Sequence, residues 1–294
     1  MKKIIVERYK KKLGIDISQF LVLPDQFIRV NTLKADVEKV IKSLEERGYI
    51  FEKLNFCDFG FKVLNKDKII TKEVEHAVGY IFSQDASSML VPLVLELEEK
   101  DVVLDLCAAP GAKTTEIAQI MNNNGIILAN DITFERIKAL AANIQRMGVL
   151  NTIISIEDGR FLYKKISETF DKVLVDAPCS ATGTFKPDAL INLNEKTLKD
   201  LSNLQKSLLY SAYYLAKKDG IIVYSTCSLE IEENEEVVDW FIKKFNVEIE
   251  EVKIRGIELI DGIVKDDIDK EVKKAKRVLI KGQEGFFVAK FRKI

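Results

Sequence analysis

The sequence predicts a doubly wound α/β domain preceded by a small α+β module, and three observations carry that reading. From about Asp101 onward, "DVVLDLC", "GIILAND", "NTIISIED", "DKVLVDA" and "GIIVYST" are short, rich in β-branched residues and end at polar positions. Between these runs the apolar spacing turns helical. Ile132, Ile137, Leu140, Ala141 and Ile144 share one face, and Leu201, Leu204, Leu208, Leu209 and Leu215 another. Strands separated by such helices imply a parallel sheet covered on both sides. Residues 25–90 supply the third observation, because their order differs. "FIRVNTL" reads as a strand, "ADVEKVIKSLEERG" as a helix ending at Gly48, and "GFKVL" and "GYIFSQ" as further strands.

The expected division is residues 1–90 for the small module and 91–294 for the large domain. After the fifth strand of the large domain, the acidic stretch from Glu232 to Phe245 predicts a helix whose first-turn carboxylates suit its dipole. "VEIEEVK" follows, and then "EGFFVAKFRK", whose alternation predicts an edge strand.

Composition narrows the class. The chain has 294 residues, 47% hydrophobic and 31% charged, which suits a soluble globular protein with an ample core. No run of eighteen apolar residues predicts a membrane span, and "MKKIIVERYK" lacks the apolar core of a signal peptide, so the expectation is a cytoplasmic protein. Four scattered cysteines and a single histidine, His76, predict no metal site and no disulfides. With 45 basic and 46 acidic residues, any phosphate-binding surface must be a local patch. The candidates are Lys2 to Lys12, Arg29 with Lys34, and "KEVKKAKR".

Ligands of open α/β sheets bind beyond the carboxyl ends of the strands. The first strand runs into "DLCAAPGAKTTEIA", whose small residues let a ligand approach the backbone and whose helix would point free N–H groups at an anion. Asp131 falls twenty residues after Gly111, a common spacing for a ribose-binding acid, and Asp158 and Asp176 end the next two strands. A dinucleotide would want two more glycines, and a P-loop would want no Ala112 between Gly111 and Lys113. S-adenosylmethionine is the third candidate, because acids at successive strand tips suit a sulfonium and disfavour polyphosphate.

Two of the four cysteines stand just past strand ends, Cys179 in "DAPCSATGT" and Cys227 in "YSTCSLE". A thiolate that adds to carbon 6 of cytosine makes carbon 5 nucleophilic enough to accept a methyl group. "DLCAAPGAKTT", "DKVLVDAPCSATGT" and "IIVYSTCSLEIEENE" resemble the signature motifs of the Sun (Fmu) family of RNA cytosine-5 methyltransferases. "RVNTLK", "GYIFSQDASSML" and "EGFFVAKFRK" extend the resemblance from about Phe27 to Lys293.

The resemblance implies a Rossmann-like methyltransferase sheet, an RNA-recognition-motif-like N-terminal module and S-adenosylmethionine as donor. Carried over residue by residue, Cys227 resembles the nucleophile and Cys179 the thiol that resolves the adduct. Asp176 would hold the cytosine edge, with Lys113 near the base. Cys107, Ala108, Ala109, Pro110, Gly111, Ala112 and Lys113, with Asp131, Arg136, Asp158 and Asp176, would bind the donor.

The expected partner is RNA, tRNA first and ribosomal RNA second, with no membrane and no metal, and a monomer suits the chain. Two positions depart from the family pattern, Ala112 and Ala181 standing where glycine is common, and both suit a negative φ. "FKPDALINLNEK" lacks the arginine and tryptophan expected of that loop. A DNA cytosine-5 methyltransferase attacking through Cys179, and a non-catalytic RNA-binding factor on the same scaffold, are the competing readings.

Overall fold

The computed structural model describes residues 2–22, 25–167, 169–186, 188–189, 193–265 and 267–294. Helix α1 (Lys2–Leu13) opens the chain, followed by a four-stranded module: β1 (Gln26–Val30), α2 (Val37–Glu46), β2 (Phe51–Lys53), β3 (Gly60–Val63), α3 (Val74–Ala77) and β4 (Ile81–Ser83). Its strands are all antiparallel, in the order β2-β3-β1-β4. This is the β-α-β-β-α-β ferredoxin-like arrangement, in agreement with the expected α+β module. Asp36 caps α2 by accepting from the Lys39 N–H, and Gly48 terminates it at φ +81°. Val40 and Leu44 then pack on Ile28, Val30 and Ile81 of the sheet.

The large domain continues with α4 (Ala86–Val94), β5 (Val102–Asp105), α5 (Ala112–Ile120), β6 (Ile126–Asp131), α6 (Phe134–Met147), β7 (Thr152–Ile156) and β8 (Phe170–Asp176). It closes with α7 (Glu195–Leu215), β9 (Ala216–Thr226), α8 (Glu235–Lys244), β10 (Val247–Glu250), β11 (Ile260–Asp261), β12 (Lys276–Val278) and β13 (Phe286–Lys293). The sheet order is β11-β12-β13-β9-β8-β5-β6-β7, with β10 also on β13. Strands β7, β6, β5, β8 and β9 are parallel, the doubly wound core that the alternating pattern predicts.

Side chains on these central strands alternate between two cores, as a pleat requires. Val173 and Val175 join Leu104, Ile222 and Tyr224 beneath α7 and α8, whereas Leu174 joins Val103, Ile221 and Val223 against α4 and α5. Tyr9 and Leu13 of α1 pack into the first of these cores, with Leu208 and Phe241, rather than onto the four-stranded module.

One strand differs from expectation. β13 is not an edge: it pairs antiparallel with β9 on one side and with β12 and β10 on the other. Its alternation misleads because Lys290 and Lys293, although buried, carry their charges to Glu96 and Glu250 and to the Ala216 carbonyl.

Candidate active site

β8 and β9 are neighbours in register, Asp176 opposite Ser225, so the chain leaves both strands side by side. Cys179 and Cys227 stand on those two exits, and their Sγ atoms are 3.2 Å apart. Backbone bonds hold the exits together. Gly183 N–H donates to Cys227 C=O at 2.9 Å, and Gly285 N–H donates to Gly183 C=O at 2.7 Å. A Cβ on Gly183 would lie 2.0 Å from the Gly285 oxygen, so only glycine fits there. The hydrogen bond to Cys227, burial, and the charges of Cys227 and Glu233 push the Cys179 thiol well up.

Glu233 is the fastener between the two loops, and the sequence reading passed over it. It is fully buried and accepts from Ser180 N–H (3.0 Å), the Ser180 hydroxyl, the Ser228 hydroxyl (2.5 Å) and Gln205 Nε2 (2.9 Å). Ser180 follows one thiol in the chain and Ser228 follows the other. The acidic run does start a helix at Glu235, but three of its carboxylates are interior groups with private partners. Glu230 takes Tyr9 Oη and Lys12 Nζ of α1, each at 2.5 Å, and Glu235 holds Arg277 through two bonds of 2.5 and 2.6 Å. The spacing "ENE" after a Thr-Cys-Ser turn was the available signal, and it carries no indication of burial.

Beneath the thiols, Lys113 Nζ donates to Asp176 Oδ2 at 2.7 Å and lies 5.1 Å from the centre of the Phe286 ring. Ser225 Oγ donates to the other Asp176 oxygen at 2.8 Å. Burial alone would lower the Lys113 ammonium's pKa, but the charge and hydrogen bond of Asp176 outweigh it and raise the value, so the lysine stays charged. Asp105, also passed over, ends β5 beside this pair. Its Oδ2 accepts from Thr114 Oγ1 at 2.7 Å, while its buried Oδ1 has no partner among the described residues. Burial, against the Thr114 bond and with the charge of Asp176, pushes this carboxyl up to about 7.

The loop between β5 and α5 turns on a left-handed glycine. Gly111 sits at φ +102°, where an added Cβ would come within 2.9 Å of Leu140 Cδ1. Ala112 is the first residue of α5 and keeps a helical φ, as its substitution for glycine requires. The first i→i−4 bond of α5 is Thr115 N–H to Gly111 C=O. The amides of Ala112, Lys113 and Thr114 are thus left without helical acceptors. Asp131 accepts from Ala109 N–H (2.9 Å) and from Arg136 through both oxygens (2.6 and 3.1 Å), and Arg136 also bonds the Ala109 carbonyl. Asp158 is paired with Arg160 through the same kind of fork. Cys107 lies in this loop, its thiol pushed well up by burial and surrounding carboxylates, so it is inert.

These residues fit an adenosyl sulfonium donor. Free helix amides suit its carboxylate, the orphaned Asp105 oxygen suits its ammonium, and strand-tip acids suit its ribose and base. Among the described residues there is no cluster of ligands for a metal ion, and no helix is long and apolar enough to cross a membrane.

Several expectations are corrected. Ala181 lies at φ +55°, not in the negative region, so it adopts a left-handed conformation that costs an L-residue energy. Arg29 is fully buried and inaccessible to phosphate. It donates to Gln84, Gln119 and Thr115 and so joins the small module to α5. Lys34 spends its ammonium on the carbonyls of Val78 and Arg146. In "KEVKKAKR", Lys276 and Arg277 are buried ion-pair partners of Asp261 and Glu235. Four of the twelve residues of "FKPDALINLNEK", 187 and 190–192, lie outside the described residues. Cys57 is a core residue whose thiol burial pushes up to about 12.

Comparison with known proteins adds to this geometry. A family model described as 16S rRNA methyltransferase RsmB/F matches residues 92–292, and one described as the ferredoxin-like domain of NOL1/NOP2/Sun domain family member 5 matches residues 23–75. Ribosomal RNA small subunit methyltransferase F of Vibrio atlanticus (strain LGP32) is 38% identical over 91% of this chain. The match spans only 57% of that relative's length. The tRNA (cytosine(49)-C(5))-methyltransferase of Pyrococcus abyssi (strain GE5 / Orsay) is 37% identical over 99% of this chain and 96% of its own. A methyltransferase homologue from Pyrococcus horikoshii superposes with a TM-score of 0.88 at 34% identity, covering 99% of this chain and 95% of its own. NSun6 from the same organism, solved with SFG, does so at 0.84 and 25% identity, covering 98% and 97%.

Proposed function

This chain belongs to the RsmB/F methyltransferase family, and from that premise we propose that it methylates carbon 5 of a cytosine in RNA, with tRNA as substrate. The observation that carries the proposal is the contact of two thiols, 3.2 Å apart, beside a buried lysine paired with a half-buried aspartate. A relative named for tRNA matches the chain along almost its full length, whereas the relatives named for ribosomal RNA carry much additional chain. That contrast favours tRNA and makes cytosine 49 the first position to test. The cell compartment in this reading is the cytoplasm.

S-adenosylmethionine, when bound, supplies an electrophilic methyl group. Ala108 to Lys113 would cradle its carboxylate and Asp105 its ammonium, with Asp131, Arg136 and Asp158 toward the nucleoside. The rest of the work falls to the chain. Chemistry on this carbon needs the cytosine out of its stack. Asp176 would face the ring's N4 amine as acceptor, and Lys113 holds that carboxylate in position.

Cys227 Sγ would give its proton to solvent and bond to carbon 6 as the thiolate, while the electron pair of the 5,6 double bond moves to carbon 5. Carbon 5 would take the methyl group as the sulfur–methyl bond of the sulfonium breaks and leaves a neutral thioether. Carbon 5 would then lose its proton to water, its electron pair would restore the double bond, and the sulfur–carbon 6 bond would break to return the thiolate. Cys179 stands beside that bond and is assigned to the resolving step. Bisulfite mapping of tRNA incubated with the recombinant enzyme and donor tests the reading. A new 5-methylcytosine that vanishes with Cys227→Ala supports it, and methylation surviving that change rejects it.

A further inference from the structure

Away from the thiols, a cleft of about 490 Å³ crosses the outer face of α7. Phe161 and Tyr163 enter it from the turn after β7, Tyr210 from α7, and Trp240 and Lys244 from α8. The rings form a connected layer, with Tyr163 and Tyr210 5.3 Å apart and Trp240 and Phe245 5.7 Å apart. Phe161 is 47% exposed, so the layer is not closed core.

Cations overlie this layer. Lys244 Nζ is 5.1 Å from the Trp240 ring centre and 5.6 Å from that of Tyr210, and Lys164 Nζ is 5.0 Å from that of Phe161. Lys206 lines the same cleft. The nearby carboxylates are already committed, Asp158 to Arg160 and Asp239 to Lys243. Glu236 faces the adjoining depression beyond Lys206. Lys164, Lys206 and Lys244 form no salt bridge with any described residue.

One exposed ring and three half-buried ones, beneath ammonium groups that form no salt bridge among the described residues, match the chemistry of a single nucleic-acid strand, whose bases stack and whose phosphates need cations. An acidic peptide would use the lysines and leave the rings idle. The cleft also reaches the carboxyl end of β7, where Arg160 on its wall is bonded to Asp158. We propose that this cleft is a second RNA-binding site, holding a single-stranded segment of the substrate RNA outside the catalytic pocket. It rests on the reading of the chain as an RNA-modifying enzyme, but its test does not depend on methylation.

Trp240 is the chain's single tryptophan and lies in the cleft, so its fluorescence reports occupancy directly. Single-stranded RNA should quench it saturably, and polyglutamate should not. The double variant K206A/K244A should bind RNA about tenfold more weakly, and the slope of log affinity against log salt should shrink by about 1.4. The KM for RNA should rise while kcat at saturating RNA stays unchanged. Absent quenching overturns the site, as does quenching by polyglutamate equal to that by RNA. Unchanged affinity in a double variant with an unaltered melting temperature overturns it too. Quenching without methylation would refute the proposed activity and leave the site standing; methylation without quenching would do the reverse.

Discussion

The Sγ atoms of Cys179 and Cys227 lie 3.2 Å apart, closer than two sulfurs rest without sharing a proton. The hydrogen bond to its neighbour and burial push the Cys179 thiol well up, which makes Cys179 a poor source of thiolate. Cys227→Ala should therefore lose the first bond-forming step, with methylation falling by roughly 10³-fold or more. Cys179→Ala should instead stall after attack and accumulate a protein–RNA adduct that survives denaturing electrophoresis. Adduct formation by Cys227→Ala would reverse the assignment.

Glu233 offers a separate handle, because it touches neither thiol through its own hydrogen bonds. Glu233→Ala leaves four donors without this acceptor, those of Gln205 and Ser228 fully buried, and should cost about 2–4 kcal/mol of stability. Glu233→Gln keeps the shape but turns an amide toward the two serine hydroxyls. Its kcat should fall with donor affinity unchanged, as titration calorimetry and single-turnover kinetics would show. Equal losses in both quantities would mean a general loosening of the domain instead.

Ala181 pays in backbone strain for a left-handed φ of +55°. Ala181→Gly removes the clash of Cβ with the carbonyl and should stabilise the protein by about 1 kcal/mol. For a chain of this size that is a rise of about 2 °C in melting temperature. A lower melting temperature in calorimetry would show that the methyl group packs usefully.

Asp105 gives stability a pH dependence of defined sign. Its folded pKa, about 7, is above the ordinary carboxylate value, so the folded state holds the proton more tightly than the unfolded chain. The associated stability is complete below about pH 4 and is lost as pH climbs through about 7. Asp85, raised to about 7, and Glu116, raised to about 8, act in the same direction, both chiefly through burial. Asp105→Asn cannot ionise, so its melting temperature without donor should fall less steeply over this range, while donor binding weakens. Parallel curves for the two proteins would disprove the linkage.

The parts legible in the sequence were those written in local spacing. The strand-and-helix alternation, the loop at Gly111 and the two strand-end cysteines all depend on residues close together in the chain. Features that depend on distant partners stayed hidden. Glu230 meets Tyr9 and Lys12 more than two hundred residues away, and Arg29 meets Gln119 across the two domains. Charge in a sequence reads as surface by default, so nothing in the local spacing marks Arg277 and Glu235 as a buried ion pair. Asp105 was masked differently. It precedes a motif whose later residues drew the attention, and its unpartnered oxygen is visible only in three dimensions.

The interior place of β13 bears on how the molecule is assembled. β9, which presents Cys227, gains its second neighbour only from a segment far downstream. Until that segment docks, one side of the strand that presents Cys227 is a bare hydrogen-bonding rim, open to pairing with other chains. During biogenesis, then, the element most important to the chemistry is also the one most in need of shelter.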